Sequence, residues 1–213
     1  MRNMTICAAA LLGVFVPAVA GALIVEVGPF LGALQEDFEQ PVLPDGTWQM
    51  YPDHYVLPIM GGAATVTNEQ LFLWAVGGAT GGDAGITVPA HGRQGLGENM
   101  SGGTVTLTFV DPVCRFGGWW QPYMPPDPAQ LSFSFFDVGG AYLGTREYEF
   151  SLHGGQMDWH GWVFEGARVK TVTWLETGGQ IDYLQGDVPE PGPVFLLGTG
   201  LIGLALIAMR RRG

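Results

Sequence analysis

Three observations predict an all-β protein, an antiparallel β-sandwich or jelly-roll-like domain. Glycine supplies 34 and proline 15 of the 213 residues, while charged residues are only 14%, so the chain lacks the residues that helices favour. Hydrophobic residues at 47% and aromatic residues at 12% still allow a buried core. Several segments alternate apolar and polar residues with a period of two, and glycine pairs stand between them. The length suits one domain better than two.

In chain order, Met1–Thr5 carries one positive charge, and Ile6–Val16 is an apolar run too short to span a bilayer. Pro17 and the small-residue sites Ala18-Val19-Ala20 and Ala20-Gly21-Ala22 follow, which predicts a secretory signal peptide over 1–22 cut by signal peptidase. The exported domain then runs over 23–187. Its expected strands are Leu23–Val27, Leu71–Val76, Thr104–Phe109, Leu131–Phe135, Glu147–Leu152, Trp159–Glu165, Arg168–Leu175 and Gln180–Leu184. In Thr104–Phe109, for example, Val105, Leu107 and Phe109 point one way and three threonines the other. Gly139-Gly140, Gly154-Gly155, Glu165-Gly166 and Gly178-Gly179 supply turns. Gly77–Gly103, with ten glycines in 27 residues, is expected as a mobile loop or loose edge.

The last part, 188–213, has three pieces. Val188-Pro189-Glu190-Pro191 begins a proline-rich, extended stretch ending at Pro193. Val194–Met209 is a 16-residue apolar run, about 24 Å if helical, predicting a transmembrane helix. Arg210, Arg211 and Arg212 then act as a cytoplasmic stop that leaves everything upstream outside. This arrangement resembles the PEP-CTERM sorting signal of Gram-negative bacteria. The resemblance implies an exosortase as partner, processing near the Pro-Glu-Pro, a precursor anchored in the inner membrane, and delivery to the cell envelope surface or extracellular matrix. The domain is also similar to the β-sandwich exodomains that precede such tails. That likeness rests on Asp37-Phe38-Glu39, the run from Val105 into Phe116-Gly117-Gly118-Trp119-Trp120, Leu131–Asp137, Arg168–Trp174 and Ile181-Asp182-Tyr183.

Between Leu23 and Pro193 stand five basic and all twenty acidic residues, a difference of −15. Such a surface repels phosphate backbones, so nucleic acid is excluded as a partner. After signal cleavage Cys114 is the only cysteine; no intramolecular disulfide can form, and a buried, inert thiol is expected. No serine sits in a G-x-S-x-G elbow. His153, Asp158 and His160 suggest a metal site but at spacings more typical of a solvated loop. Glu147 and Glu149, two steps apart on one strand at about 7 Å, have the separation of an inverting glycosidase pair, but a charged outer face is the ordinary explanation. Thr65/Thr67, Thr104/Thr106/Thr108 and Thr171/Thr173 are the ladders an ice-binding face would need, and also good strand formers.

Binding suits the residues better than catalysis. Trp119, Trp120 and Tyr123, with Gln121 and Asp127 nearby, are the candidate glycan-binding residues, because an aromatic face stacks on the C–H face of a sugar. Trp119 and Trp120 are neighbours, so on a strand one faces in and the other out. Glu39 and Asp182, with Asp37, are candidate calcium ligands by analogy with jelly rolls that clamp an ion between an early and a late strand. No other cofactor is indicated. The expectation is a non-enzymatic, structural or adhesive surface protein with weak binding to exopolysaccharide, an anchored glycan hydrolase or lyase being the alternative.

Overall fold

The structure, a computed structural model, describes residues 22–75, 89–98, 103–122, 129–150, 157–175 and 179–189. The expected signal peptide, Tyr123, Asp127, His153, the arginine cluster and the tail from Glu190 onward lie outside the described residues. Among the described residues no helix is long and apolar enough to cross a membrane.

Two antiparallel sheets pack face to face. The larger has the order β1–β12–β9–β14–β7–β6–β3. Its strands are β1 (Leu23–Glu26), β3 (Trp48–Met50), β6 (Leu71–Ala75), β7 (Gln94–Glu98), β9 (Arg115–Pro122), β12 (Asp158–Glu165) and β14 (Gly179–Asp187). The short β2 (Leu34–Glu36) pairs with the last residues of β14. The smaller sheet has the order β11–β10–β13–β8–β5–β4. Its members are β4 (Val56–Ile59), β5 (Ala64–Thr67), β8 (Thr104–Val113), β10 (Ala129–Phe136), β11 (Tyr142–Phe150) and β13 (Val169–Leu175).

The alternation read from the sequence sets which residues meet between the sheets. Val105, Leu107 and Phe109 of β8 and Leu131, Phe133 and Phe135 of β10 are fully buried. They pack against Phe116, Trp120, Trp162, Phe164 and Leu184 of the larger sheet in one continuous core. Aromatic rings dominate its centre: Trp162 lies 4.7 Å from Phe133 and 5.1 Å from Phe135, centroid to centroid. Such pairs add about 0.5–1.5 kcal/mol each beyond the area they bury.

Two expectations need correction. The glycine-rich 77–103 stretch contains an inner strand, since β7 lies between β14 and β6. Its glycines are there for space: a Cβ on Gly95 would stand 2.7 Å from the Trp74 ring, and one on Gly97 would strike Phe72. Cys114 is half-buried rather than buried, with Sγ 3.5 Å from the Asp187 carbonyl. The threonine motifs do come into register. Thr65, Thr108 and Thr171 form one cross-strand row and Thr67, Thr106 and Thr173 the next, on the outer face of the smaller sheet. Cross-strand threonine pairing of this kind stabilises a sheet by itself.

Candidate functional site

The outer face of the larger sheet, turned away from the core, carries the chemistry. Register across the strands places Trp159, Trp119 and Asp182 side by side, and on the far side of β7 it places Gly95, Trp74 and Trp48 side by side. Ile181 pairs with both Trp120 and Leu96, so the two series form one row across the sheet. One step along the strands runs a second row: Gln121, Gln180, Gly97, Phe72 and Met50. Alternation explains the rows, because Leu71, Leu73, Leu96, Trp120 and Ile181 between them all point into the core.

Glycines let the rings lie down on the sheet. A Cβ on Gly117 would stand 2.6 Å from Trp159, and one on Gly161 would stand 2.9 Å from the same ring. The indole is held flat by its Nε1, which donates to the Val27 carbonyl at 3.0 Å, and by the edge of Phe30 at 5.5 Å. Trp119 stands next to it, 5.7 Å between centroids and tilted by 67°. His91 comes down from the 89–93 loop onto Tyr183 at 4.1 Å and lies 6.1 Å from Trp119. Trp48 closes the row, 58% exposed.

Polar groups without partners lie among these rings. Asp182 is completely buried; its Oδ2 accepts the His91 backbone N–H at 2.6 Å, and its Oδ1 has no partner among the described residues. Gln180 and Trp74 are completely buried, and both amide atoms of Gln180, Gln121 Oε1 and Trp74 Nε1 have no partner among the described residues. A buried polar atom without a partner costs about 1–3 kcal/mol, so most folds avoid placing several on one face. Burial, with the charge of Glu39 adding to it, pushes the Asp182 carboxyl up from 3.8 to about 7, against the pull of the backbone N–H groups it accepts.

The sequence candidates divide accordingly. Trp119 is half-buried on the outer face. Trp120 is fully buried between Phe116, Phe133 and Trp162, so a sugar contact by Trp120 is corrected to a core role. Gly118 beneath it makes that room, since a Cβ there would stand 2.9 Å from the Trp120 ring. Glu39 and Asp182 approach one loop but grip it through its amides: Glu39 Oε1 accepts from Arg93 N at 2.6 Å and Gln94 N at 2.9 Å. Asp37 accepts the N–H of Glu39 in a local turn. Among the described residues no group of three or more His, Cys, Asp or Glu stands together as a metal-binding set. His160 faces inward, 3.9 Å from the Tyr148 ring, and burial lowers its pKa; Asp158 is exposed at the start of β12. Glu147 and Glu149 lie exposed along β11, opposite Ser132 and Gln130.

Trp159, Trp74, Trp48, Gln180 and His91 were not picked out from the sequence. A signal was present in Leu71–Trp74, which is apolar at every position, as a strand covered on both faces is.

Similarity to known proteins follows the same division between domain and tail. A DUF4465 family protein from Bacteroides caccae is 10% identical with a TM-score of 0.44, over 77% of this chain and 99% of that one. A carbohydrate-binding module from Clostridium stercorarium in complex with cellobiose is 14% identical with a TM-score of 0.31, over 48% and 79%. The family 11 carbohydrate-binding module of a Clostridium thermocellum cellulosomal cellulase is 8% identical with a TM-score of 0.27, over 76% and 99%. These are likenesses of strand arrangement. No curated protein matches by sequence. The end of the chain matches a family model directly, in agreement with the residues from Val188 onward: over 187–212 the chain carries the PEP-CTERM protein-sorting motif, which makes it an exported, membrane-passing precursor sorted to the surface by an exosortase.

Proposed function

We propose that the exported domain is a non-catalytic polysaccharide-binding module, displayed at the cell envelope surface or in the extracellular matrix, and that it binds across the outer face of its larger sheet. One observation carries this reading. The half-buried Trp159 and Trp119 and the exposed Trp48 share a row with the fully buried Trp74 and Asp182, and buried amide atoms of Gln121 and Gln180 without a partner among the described residues stand beside it. Accessible aromatic rings supply apolar platforms for sugar faces. A binding surface of this composition gives adhesion to a hydrated polymer without a reacting group.

The test is retention on exopolysaccharide from the producing cell, by affinity electrophoresis of the exported domain. Trp119→Ala and Trp48→Ala should each weaken retention roughly tenfold, equivalent to about 1.4 kcal/mol for one lost stacking contact. Unchanged retention in both variants would discard the reading. Release of new reducing ends or oligosaccharides from the polymer would replace it with a hydrolase or lyase.

A further inference from the structure

The end of the sandwich from which the sorting motif departs differs from the rest of the surface. β14 ends there at Asp187, opposite Arg115 of β9. Register brings the same end of the other strands alongside: Leu23 opposite Glu165, Val169 opposite Val113, and Phe136 opposite Tyr142. Ala33 joins them by donating its N–H to Asp187 at 2.7 Å.

On this end stand Leu23, Leu31, Val110, Val138, Tyr142 and Val188, each between 38% and 77% exposed. They are half of the twelve exposed large hydrophobic residues among the described ones. Scattered surface apolar residues are ordinary; concentration at one end is not. The charges there differ from the acidic surface elsewhere. Arg168 and Lys170 lie at the start of β13, with Lys170 Nζ donating to the Val110 carbonyl at 2.5 Å. Of the nearby carboxylates, Asp187 is held by Arg115 and Ala33, and Asp137 accepts the N–H groups of Gly139 and Ala141. Asp111 and Glu165 balance the two cations and Asp137 keeps its charge, so with Arg115 offsetting Asp187 this end carries a net charge of −1 in a domain that is strongly acidic overall.

The tether confines this end. Val188 to Pro193 is six residues, at most about 20 Å when fully extended, before the apolar run of 194–209 begins. The end with the exposed apolar residues therefore stays within about 20 Å of the hydrocarbon that the precursor's tail enters. We infer that this end of the sandwich is a membrane-docking surface: Leu31, Val110, Val138 and Tyr142 enter the headgroup region of the bilayer, and Arg168 and Lys170 meet lipid phosphates. Apolar side chains flanked by cations are the composition that holds a protein at that interface. The outer face of the larger sheet then stands away from the membrane, side-on.

The experiment uses the full-length chain inserted in phosphatidylethanolamine–phosphatidylglycerol vesicles, with Cys7→Ser and Cys114→Ser. A single environment-sensitive label is placed through Val138→Cys, Leu31→Cys or, at the opposite end, Val56→Cys. Labels at 138 and 31 should show blue-shifted emission quenched by spin-labelled lipid, while the label at 56 stays solvent-like. Adding Leu31→Glu, an exposed and fold-neutral change, should relieve the quenching at 138. Solvent-like emission at all three positions would overturn the inference. A blue shift at 138 that grows with protein density in the vesicle and is untouched by spin-labelled lipid would also overturn it, by making a second copy of the chain the occupant.

Discussion

Replacing Asp182 by Asn isolates the one group on the candidate face whose ionisation opposes folding. Its carboxyl sits at about 7 in the folded protein against 3.8 ordinarily, so between these values the folded state holds a proton that the unfolded chain has released. Stability from this group is fully present below about pH 4, falls as pH rises, and is gone above about pH 7. At 1.36 kcal/mol for each factor of ten, the loss reaches about 4 kcal/mol. Asn keeps an oxygen to accept the His91 N–H and carries no charge at any pH. Asp182→Asn should therefore match the parent near pH 4 and exceed it near pH 8 by up to about 4 kcal/mol, or roughly 10 °C in Tm. Urea unfolding followed by tryptophan fluorescence, at several pH values across this range, measures the difference directly. Other titrating groups cancel in it. Two stability curves that run parallel from acid to alkaline pH would refute the argument, because an ionised Asp182 would then be costing the fold nothing.

Three further outcomes follow from packing and ligation. Trp120→Ala should lose about 3–5 kcal/mol in chemical unfolding, far more than Trp119→Ala, because only the first opens a cavity in the core. Gly117→Ala should cost about 1–3 kcal/mol and shift the tryptophan emission, since the added methyl stands where Trp159 and the Gly161 backbone already are. A chelator should leave the melting temperature unchanged, because Glu39 and Asp182 are engaged with loop amides; a fall of several degrees would place calcium there after all.

The architecture was legible where a strand is regular along its own length. Each of the eight expected strands meets a strand among the described residues, with Val76 and Ser151–Leu152 of two of them lying outside those residues; Thr104–Phe109 is the first part of β8 and Leu131–Phe135 the middle of β10. The strands missed are of two kinds. β2, β3, β4 and β5 have three or four residues each, too few for a period to emerge. β7 and the start of β9 are interrupted by glycines, which on local grounds argue for a loop. Those glycines are required by side chains contributed from other strands: Trp74 on Gly95, Trp159 on Gly117, Leu184 on Gly118. The reason for them lies across the sheet, where one-dimensional reading does not reach. The candidate site was half legible for the same reason. Adjacent tryptophans had to face opposite ways, but that Trp119 would line up with Trp159, Asp182 and Trp74 depends on register between residues forty or more apart in the chain.

The position of β14 has a consequence for how the molecule is made. It is the final described strand, yet it sits in the interior of the larger sheet with β9 on one flank and β7 and β2 on the other. A polypeptide threaded outward from its N-terminus holds β1–β12–β9 and β7–β6–β3 as two unjoined halves until residue 187 has emerged, which is where the sorting motif starts. Closure of the sheet and arrival of the signal at the bilayer are thus the same moment in biogenesis. Clipping the chain anywhere before Gly179 would yield two frayed ribbons, not a slightly shorter domain.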